Sequence, residues 1–227
     1  MTRRFDAVSL DVGGVLVVPD HGVLGGVLDE AGIAHDRGRF GIGHYLAMAA
    51  MDRAASDPED FTDYLWEFLA VVAVPDGDQP RAHDLLASRL RTPVWCQPVP
   101  GSRTGLGALR DAGVRLAVTS NSDGTVADHL ARHEWVQVGD GPGVPVEVVT
   151  DSGIVGVGKP DARVFRATID ALGLAPERIL HIGDSVHYDV DGGAAVGVQT
   201  VHMDPFEACS ATDHPHVRTL GALLALA

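Results

Sequence analysis

The hydrophobic residues of this chain follow two rhythms, and each rhythm predicts a different kind of element. Short apolar runs of strand length occur five times, and apolar residues at helical spacing lie between most of them. Alternating strands and helices are typical of a parallel sheet covered on both faces. The predicted strands lie around Val8 and Leu10 and at 114–119, about 146–149, 179–182 and 198–202, and the predicted helices lie at 102–112, 125–133, 162–172 and 220–226. The sequence therefore predicts an α/β fold, a Rossmann-like doubly wound parallel sheet of about five strands.

Between about residues 19 and 98 the pattern is helical and contains few β-branched runs. The clearest amphipathic stretch has Pro58 and Glu59 in its predicted first turn. Its apolar positions are Phe61, Tyr64, Leu65, Phe68, Leu69 and Val72, and shorter helical patterns occur at Val23–Val27–Leu28, Tyr45–Met48–Met51 and Leu85–Leu86–Leu90. We expect an inserted helical subdomain at residues 19–98 and a catalytic core made of residues 1–18 and 99–227.

The charge and the cysteine content of the chain limit the kinds of partner that it could bind and the cell compartment in which it would function. The 227 residues carry a formal net charge of −14, without a basic stripe, which argues against a nucleic-acid partner. No long apolar segment suggests a signal peptide or a membrane span, and the two cysteines show no disulfide or metal-ligand spacing. We expect a cytoplasmic protein without a membrane partner. Lys159 is the single lysine beside sixteen arginines, which suggests a place where a compact ammonium is needed.

Polar residues follow several of the predicted strands, at the edge where parallel sheets bind ligands. Asp11 follows the first strand and Ser120 the second, Lys159 lies in GVGKPDARVF, and Asp184 and Asp189 lie in HIGDSVHYDV. A carboxylate nucleophile, a hydroxyl, an ammonium and two further carboxylates suit phosphoryl transfer through an aspartyl-phosphate.

The same edge of the sheet is predicted to bind a metal and an anion. Mg²⁺ prefers oxygen ligands, which Asp11, Asp184 and the carbonyl of Gly13 could supply. Gly13 and Gly14 directly follow Asp11 and would let the backbone turn tightly, so that its N–H groups face an anion.

Four segments of the chain, in order, resemble the motifs of the haloacid dehalogenase superfamily. They are LDVGGVL, AVTSN, VGKPDARVF and HIGDSVHYDVDGGAAVG, and the chain is most similar to the phosphatases with a helical cap inserted after the first strand. The resemblance implies a Mg²⁺-dependent phosphomonoester hydrolase that acts on a small phosphorylated metabolite. The implied roles are Asp11 as nucleophile, Ser120 and the Asn121 backbone N–H on the phosphoryl oxygens, Lys159 balancing charge, Asp184 on Mg²⁺, and Asp189 ordering the metal waters or Lys159.

The chain departs from the phosphatase pattern at Gly13. Most phosphatases of this family have a second aspartate there, which protonates the leaving group and then activates water. A general acid–base group contributes about 10²–10⁴ in rate. Three explanations stay open: the leaving group needs little protonation, as in sugar 1-phosphates or acyl phosphates; Asp20, His21 or His44 replaces the acid; or the protein has lost turnover and only binds a phosphorylated ligand or partner.

Other readings of the sequence fit less well. A phosphonate-cleaving Schiff base would need a lysine in the insert, and the acidic fourth motif argues against a metal-free dehalogenase. The run GIVGVGKP nearly matches a P-loop but ends in Pro160, which lacks the hydroxyl that binds Mg²⁺.

Several remaining polar residues are interpreted as surface groups. His214 and His216 flank Pro215 in a predicted loop, and without a third ligand at fixed spacing we interpret them as surface residues. Arg37, Arg39 and Arg53 could hold a distal anion of the substrate or lie on a solvated surface. The sequence leaves the substrate and the oligomeric state open.

Overall fold

The computed structural model describes residues 5–58 and 60–226. Within these residues a central sheet of six parallel strands has the order β10–β9–β8–β1–β4–β7. Its strands are β1 (Ala7–Leu10), β4 (Arg115–Ser120), β7 (Val149–Asp151), β8 (Ile179–Gly183), β9 (Gln199–Met203) and β10 (His216–Val217), and two small pairs join β2 (Val17–Pro19) with β3 (Trp95–Pro98) and β5 (Val136–Val138) with β6 (Val144–Val146). The fold is the predicted α/β sheet, with one strand more than expected.

Helices occupy the connections between these strands. They are α1 (His21–Glu30), α2 (Phe40–Ala54), α3 (Thr62–Val71), α4 (Gln79–Ala87), α5 (Ser102–Asp111), α6 (Val126–Arg132), α7 (Ser152–Val155), α8 (Ala162–Leu172) and α9 (Gly192–Ala194), with a π-helical turn at Val186–Asp191 and 3₁₀ turns at Arg37–Arg39, Thr92–Val94, Pro176–Arg178 and Leu220–Ala225. The predicted helix at 162–172 is confirmed. Asp161 caps its first turn by accepting a bond from Arg163 N, and Gly173 ends it in the left-handed conformation.

The two faces of the sheet are packed differently because side chains alternate along each strand. Val8 and Leu10 of β1 belong to the larger apolar cluster, with Leu106 of α5 and Leu220 near the C-terminus. The other face carries smaller and polar side chains. There a buried chain of hydrogen bonds crosses the sheet towards α8 and joins His181, Ser9, Thr119, Thr168 and Thr150.

Helices α1 to α4 lie between β2 and β3, inside the predicted range 19–98. They form an apolar cluster of their own around Phe40, Tyr64 and Phe68, to which Tyr188 of the core also contributes. The antiparallel pair β2–β3 leads the chain into this segment and out of it. We call residues 19–98, which include α1 to α4, the helical insert.

Some predicted elements need correction. The sixth strand, β10, spans the predicted loop around His216; two residues give no readable apolar run. The strand predicted at about 146–149 is divided between β6 and β7, which belong to different sheets. The helix α3 begins at Thr62 after its cap Phe61, so Pro58 precedes it, and Glu59 lies outside the described residues. The predicted C-terminal helix is a 3₁₀ turn.

Across the part of the chain that the structure describes, no helix combines the length and the apolar character that crossing a membrane requires.

Candidate active site

A cavity of about 1150 Å³ opens at the carboxyl ends of β1, β4 and β8, under the helical insert. It brings together residues that are far apart in the sequence. The predicted site residues that line it are Asp11, Gly13, Ser120, Asn121, Lys159, Asp184 and Asp189, and the insert and β3 add His44, Met48, Phe61 and Trp95. Apart from Gly14, every residue to which the sequence assigned a nucleophilic, phosphate-binding or metal-binding role faces one cavity.

Lys159 is the centre of charge in this cavity. Its Nζ lies 2.9 Å from Oδ1 of Asp11 and 2.5 Å from Oδ1 of Asp189. The lysine is only 2% exposed, so the ion pairs are held in a medium of low polarity. Burial lowers the pKa of Lys159, but the two carboxylates outweigh it and raise the pKa above its usual value. The ammonium therefore stays charged.

The three carboxyl groups respond differently to this ammonium. Burial raises the pKa of Asp11 to about 6, even though Lys159 opposes the shift. Burial also raises the pKa of Asp184 well above its usual value, and the charge of Asp189 adds to that effect. For Asp189, burial is outweighed by Lys159 and by His181, whose Nε2 lies 2.9 Å from Oδ1, so its pKa is lowered. The buried charge of Lys159 thus acts to lower the pKa of all three carboxyls, and burial outweighs this effect for Asp11 and Asp184.

The side chain of Asn121 fixes the backbone of Lys159. Its Oδ1 accepts a hydrogen bond from Lys159 N at 2.7 Å, and its Nδ2 donates to Lys159 O at 3.1 Å. This clamp explains how a residue in the loop before α8 is placed beside β1. Sequence reasoning considered only the backbone N–H of Asn121 and missed its side chain.

Two glycines allow carboxylates to approach the backbone closely. A Cβ placed on Gly14, whose φ is +61°, would lie 2.0 Å from Oδ2 of Asp184, and a Cβ on Gly183 would lie 2.0 Å from Cγ of Asp189. Gly14 N donates to Val17 O at 2.8 Å. This amide is therefore bonded within the chain, unlike the anion-facing amide that the sequence suggested, because the turn after β1 closes on β2.

His44 of α2 reaches Asp184 from the insert. Its Nε2 lies 2.8 Å from Oδ2 of Asp184, and its Nδ1 lies 2.9 Å from the hydroxyl of Tyr64. Burial lowers the pKa of His44 to about 3, so the imidazole is neutral at pH 7. With Asp184 ionised, Nε2 donates to the carboxylate and Nδ1 accepts from Tyr64. A neutral imidazole held in this way orients Asp184 and has no proton to give readily.

The other two candidates for a replacement acid are engaged elsewhere. Oδ1 of Asp20 accepts a hydrogen bond from Val23 N at 2.8 Å and so caps α1. His21 packs edge-on against Phe40, with ring centroids 5.5 Å apart. Neither side chain lines the cavity formed by the described residues.

The three arginines proposed for a distal anion also lie away from the cavity lining given by the described residues. They pair with acidic groups of the insert's surface, Arg37 with Asp29, Arg39 with Asp36 and Arg53 with Glu67. Arg91 does line the cavity and is exposed.

Asp52 of α2 is a site residue that sequence reasoning missed. Its carboxylate accepts hydrogen bonds from the Ser185 hydroxyl, from Val186 N at 2.8 Å and from His187 N at 3.2 Å. These groups belong to the loop that follows Asp184, so the insert holds this loop through a half-buried acid. An aspartate on an amphipathic helix gives no sequence signal for such a contact.

Comparison with known proteins identifies the family of the chain. The model of the haloacid dehalogenase-like hydrolases matches residues 5–197. The phosphoserine phosphatase of Thermus thermophilus is 35% identical over 130 residues, which are 57% of this chain and 48% of that protein. The ribulose-1,5-bisphosphate 5-phosphatase of Halopiger xanaduensis is 31% identical over 115 residues, 51% of this chain and 46% of that protein. The chain thus spans about half the length of these curated relatives.

A solved structure shows the same fold over the whole length. The HAD phosphatase from Thermococcus onnurineus superposes with a TM-score of 0.59 at 19% identity, covering 98% of this chain and 97% of that chain. The match to the family model covers most of the sequence and all of the cavity's core residues. The chain therefore belongs to the haloacid dehalogenase-like hydrolases.

Proposed function

We propose that this protein is a Mg²⁺-dependent phosphomonoester hydrolase that works through an aspartyl-phosphate. The observation that carries the proposal is the convergence of Asp11, Asp184 and Asp189 with Lys159 in one buried cavity. Phosphatases among the relatives support the reaction type. A small phosphorylated metabolite is the proposed substrate, since the cavity of about 1150 Å³ fits such a molecule.

The residues present fit a divalent cation. Oxygen atoms of the three carboxyls lie within 4.8 Å of one another, and only one buried ammonium faces them. Hard oxygen donors with excess negative charge suit Mg²⁺. Asp11, Asp184 and the carbonyl of Gly13 would hold it, with His44 orienting Asp184. When bound, the ion neutralises negative charge on the phosphate and on Asp11.

Each step of the proposed reaction depends on particular residues of the chain. Lys159 holds Oδ1 of Asp11, which leaves Oδ2 to attack phosphorus in line. A bond forms between Oδ2 and phosphorus while the bond from phosphorus to the ester oxygen breaks, and that oxygen leaves as an anion that takes its proton from solvent water. Water then attacks the phosphoryl group, the bond between phosphorus and Oδ2 breaks, and inorganic phosphate leaves with the protons of the attacking water, which regenerates the Asp11 carboxylate. Ser120 and the Asn121 backbone N–H would bind phosphoryl oxygens during both steps.

Gly13 restricts which leaving groups can depart. His44 is neutral, and Asp20 and His21 lie outside the cavity lining described above. No described side chain among these three therefore replaces the missing acid. Substrates whose leaving oxygen is stable without a proton, such as acyl phosphates or sugar 1-phosphates, are favoured.

The helical insert, residues 19–98, would act as a cap over the core made of residues 1–18 and 99–227. Three contacts between α2 and the core support the proposal that the insert acts as a cap. They are His44 with Asp184, Asp52 with the loop after Asp184, and the Tyr45 hydroxyl, which donates to Gly14 O at 2.8 Å. Closure of such a segment excludes bulk water from the reacting phosphate.

The test is phosphate release with Mg²⁺ from four substrates: an aryl phosphate, an acyl phosphate, a hexose 1-phosphate and a hexose 6-phosphate. We expect turnover of the first three and little of the last, with none in Asp11→Asn. Equal turnover of the 6-phosphate would show that a general acid exists. Binding of phosphate without release from any of the four would support the rival function, a non-catalytic phosphate-binding protein.

A further inference from the structure

Four potential metal ligands meet at the edge of the sheet, on β9, β10 and the segment between these strands. They are His202 of β9, Cys209 and His214 of the segment, and His216 of β10. One donor atom from each lies within 4.8 Å of the donor atoms of the other three. This cluster is separate from the carboxylates of the active site and shares no side chain with them.

Two distances between donor atoms of this cluster are close to the edges of a tetrahedral site. Nδ1 of His202 lies 3.3 Å from Nε2 of His214, and Sγ of Cys209 lies 3.9 Å from that same Nε2. With Zn–N bonds of about 2.0–2.1 Å and Zn–S bonds of about 2.3 Å, tetrahedral edges come to about 3.3 Å between nitrogens and about 3.6 Å between nitrogen and sulfur. The other donor pairs lie within 4.8 Å of one another, so an ion would draw these side chains closer together.

In His202 and His214, one ring nitrogen points away from the cluster (the outer nitrogen) and the other points into it (the inner nitrogen). The hydrogen bond of the outer nitrogen determines which ring nitrogen carries the proton. Nε2 of His202 lies 3.2 Å from the carbonyl of Asp184, and Nδ1 of His214 lies 2.7 Å from Oδ1 of Asp213. In the neutral form of both rings, each of these nitrogens carries the proton and donates it to an oxygen, so the two inner nitrogens are both acceptors. Two lone pairs then face each other at 3.3 Å, an arrangement that a cation between them stabilises.

Within the described part of the chain, His216 likewise has one ring nitrogen near a carboxylate oxygen and the other without an acceptor. Its Nδ1 lies 3.6 Å from Oδ2 of Asp204, and its Nε2 is buried without a hydrogen-bond partner among the residues that the structure describes. Metal-bound histidines commonly direct their second nitrogen towards a carboxylate or a backbone carbonyl, and all three histidines do so here.

The fourth ligand is positioned by Asp204. The carboxylate of Asp204, which is 3% exposed, accepts hydrogen bonds from Ala208 N and Cys209 N, both at 2.9 Å. These bonds bend the segment back over β9 and bring the thiol to the three imidazoles. The backbone that carries Cys209 is thus fixed before any ion binds.

We propose that His202, Cys209, His214 and His216 form a structural site for a borderline-soft divalent cation, of which Zn²⁺ is the best match. A thiolate with three neutral imidazoles is a donor set for Zn²⁺ and not for Mg²⁺, which needs oxygen ligands. Four protein ligands close the site and leave no position for substrate. The ion would fasten the segment 204–215 to the sheet and, through His202, to the backbone of Asp184. The inference is independent of the proposed phosphatase activity.

The test combines metal analysis with Co²⁺ substitution of the full chain. We expect one tightly bound Zn²⁺ per chain that excess Mg²⁺ does not displace. Co²⁺ in its place should show the strong visible bands of tetrahedral coordination and a thiolate charge-transfer band. Cys209→Ser should lose the charge-transfer band, and His214→Ala should lower the affinity for Zn²⁺ by at least about 10–100-fold.

Matched variants separate this site from the alternatives. Cys96→Ser, which changes the other cysteine, should keep the charge-transfer band, and Asp11→Asn should keep the zinc. Alkylation of Cys209 in the unmutated protein gives a reading that needs no variant: Zn²⁺ should protect Cys209 and leave Cys96 equally reactive. Absence of the charge-transfer band, an unchanged band in Cys209→Ser, or loss of zinc in Asp11→Asn would overturn the proposal.

Discussion

The indole ring of Trp95 lies against the backbone of Gly13, where a side chain at that position would have to be. A Cβ placed on Gly13 would lie 3.2 Å from Cζ3 of Trp95, closer than ordinary van der Waals contact. The ring also packs edge-on against His44, with centroids 5.7 Å apart. The missing acid and the tryptophan therefore belong to one packing arrangement, and a side chain at position 13 would require the indole to move by a few tenths of an ångström.

Gly13→Asp alone should fail to create a general acid. The new side chain would overpack against Trp95, which typically destabilises a core by about 1–3 kcal/mol. The double variant Gly13→Asp, Trp95→Ala makes room for the carboxyl, and we expect it to raise kcat on a hexose 6-phosphate by about 10²-fold or more. Steady-state kinetics on that substrate and on an aryl phosphate would measure the gain.

Trp95→Ala alone is the control for that experiment. It makes the same space without an acid, so it should leave the 6-phosphate a poor substrate. Equal activity of Gly13→Asp with and without the tryptophan change would contradict the packing argument.

Asn121→Ala should reduce turnover even though it keeps the backbone N–H at that position. The substitution removes both hydrogen bonds that hold the Lys159 backbone, at 2.7 and 3.1 Å. Small displacements of a reacting group can lower the rate by about 10²-fold, and we expect a loss of that order in kcat. Thermal unfolding would show whether the fold persists. An unchanged kcat would mean that only the backbone amide of Asn121 matters.

Stabilisation by Mg²⁺ should depend on pH. The pKa of Asp11 is raised to about 6 and that of Asp184 is raised as well, chiefly by burial. At a pH below these raised pKa values the two carboxyls are protonated, and the protons compete with Mg²⁺ for the carboxyl oxygens. The Mg²⁺-induced rise in Tm should therefore shrink as the pH falls through about 6. At 100 times its Kd, a ligand adds about 2.7 kcal/mol of stability.

Substitutions check the origin of this Mg²⁺ effect. Asp184→Asn should abolish the shift in Tm, and Asp170→Asn, which changes an exposed residue of α8, should keep it. A shift that is the same at every pH and in both variants would place the ion elsewhere.

Asp52→Ala should destabilise the protein and weaken Mg²⁺ binding together. The change leaves three donors of the loop after Asp184 without their acceptor. Ser185 is buried, and a buried donor without a partner costs about 1–3 kcal/mol, which denaturant unfolding can measure. Glu67→Ala removes an exposed ion pair of the insert with Arg53 and should change stability by less than about 1 kcal/mol. Equal effects of the two changes would refute the role given to Asp52.

The core of the site was readable from the sequence because each contribution is local. A buried apolar run ends in a polar residue at Asp11, Ser120 and Asp184, and parallel pairing brings those ends together. The alternation of strand and helix patterns predicted the parallel sheet, although β10 was missed because two residues make no pattern.

The contribution of the insert was not readable in the same way. A helical pattern shows which face of α2 is buried, but not that His44 and Asp52 bond to the loop of β8. The Cys209 cluster was missed for a related reason, since its ligands come from two strands and the segment between them, without motif spacing. Tertiary packing alone makes these groups neighbours.

In the proposed mechanism, Asp11 carries the phosphoryl group between two half-reactions. The most direct measurement is a single turnover of an aryl phosphate with Mg²⁺, quenched in acid and followed by mass spectrometry of the peptide that contains Asp11. We expect a transient gain of one phosphoryl group on Asp11 that decays as inorganic phosphate is released, and none in Asp11→Asn. Phosphate release without a phosphorylated Asp11, or at an equal rate in Asp11→Asn, would contradict it.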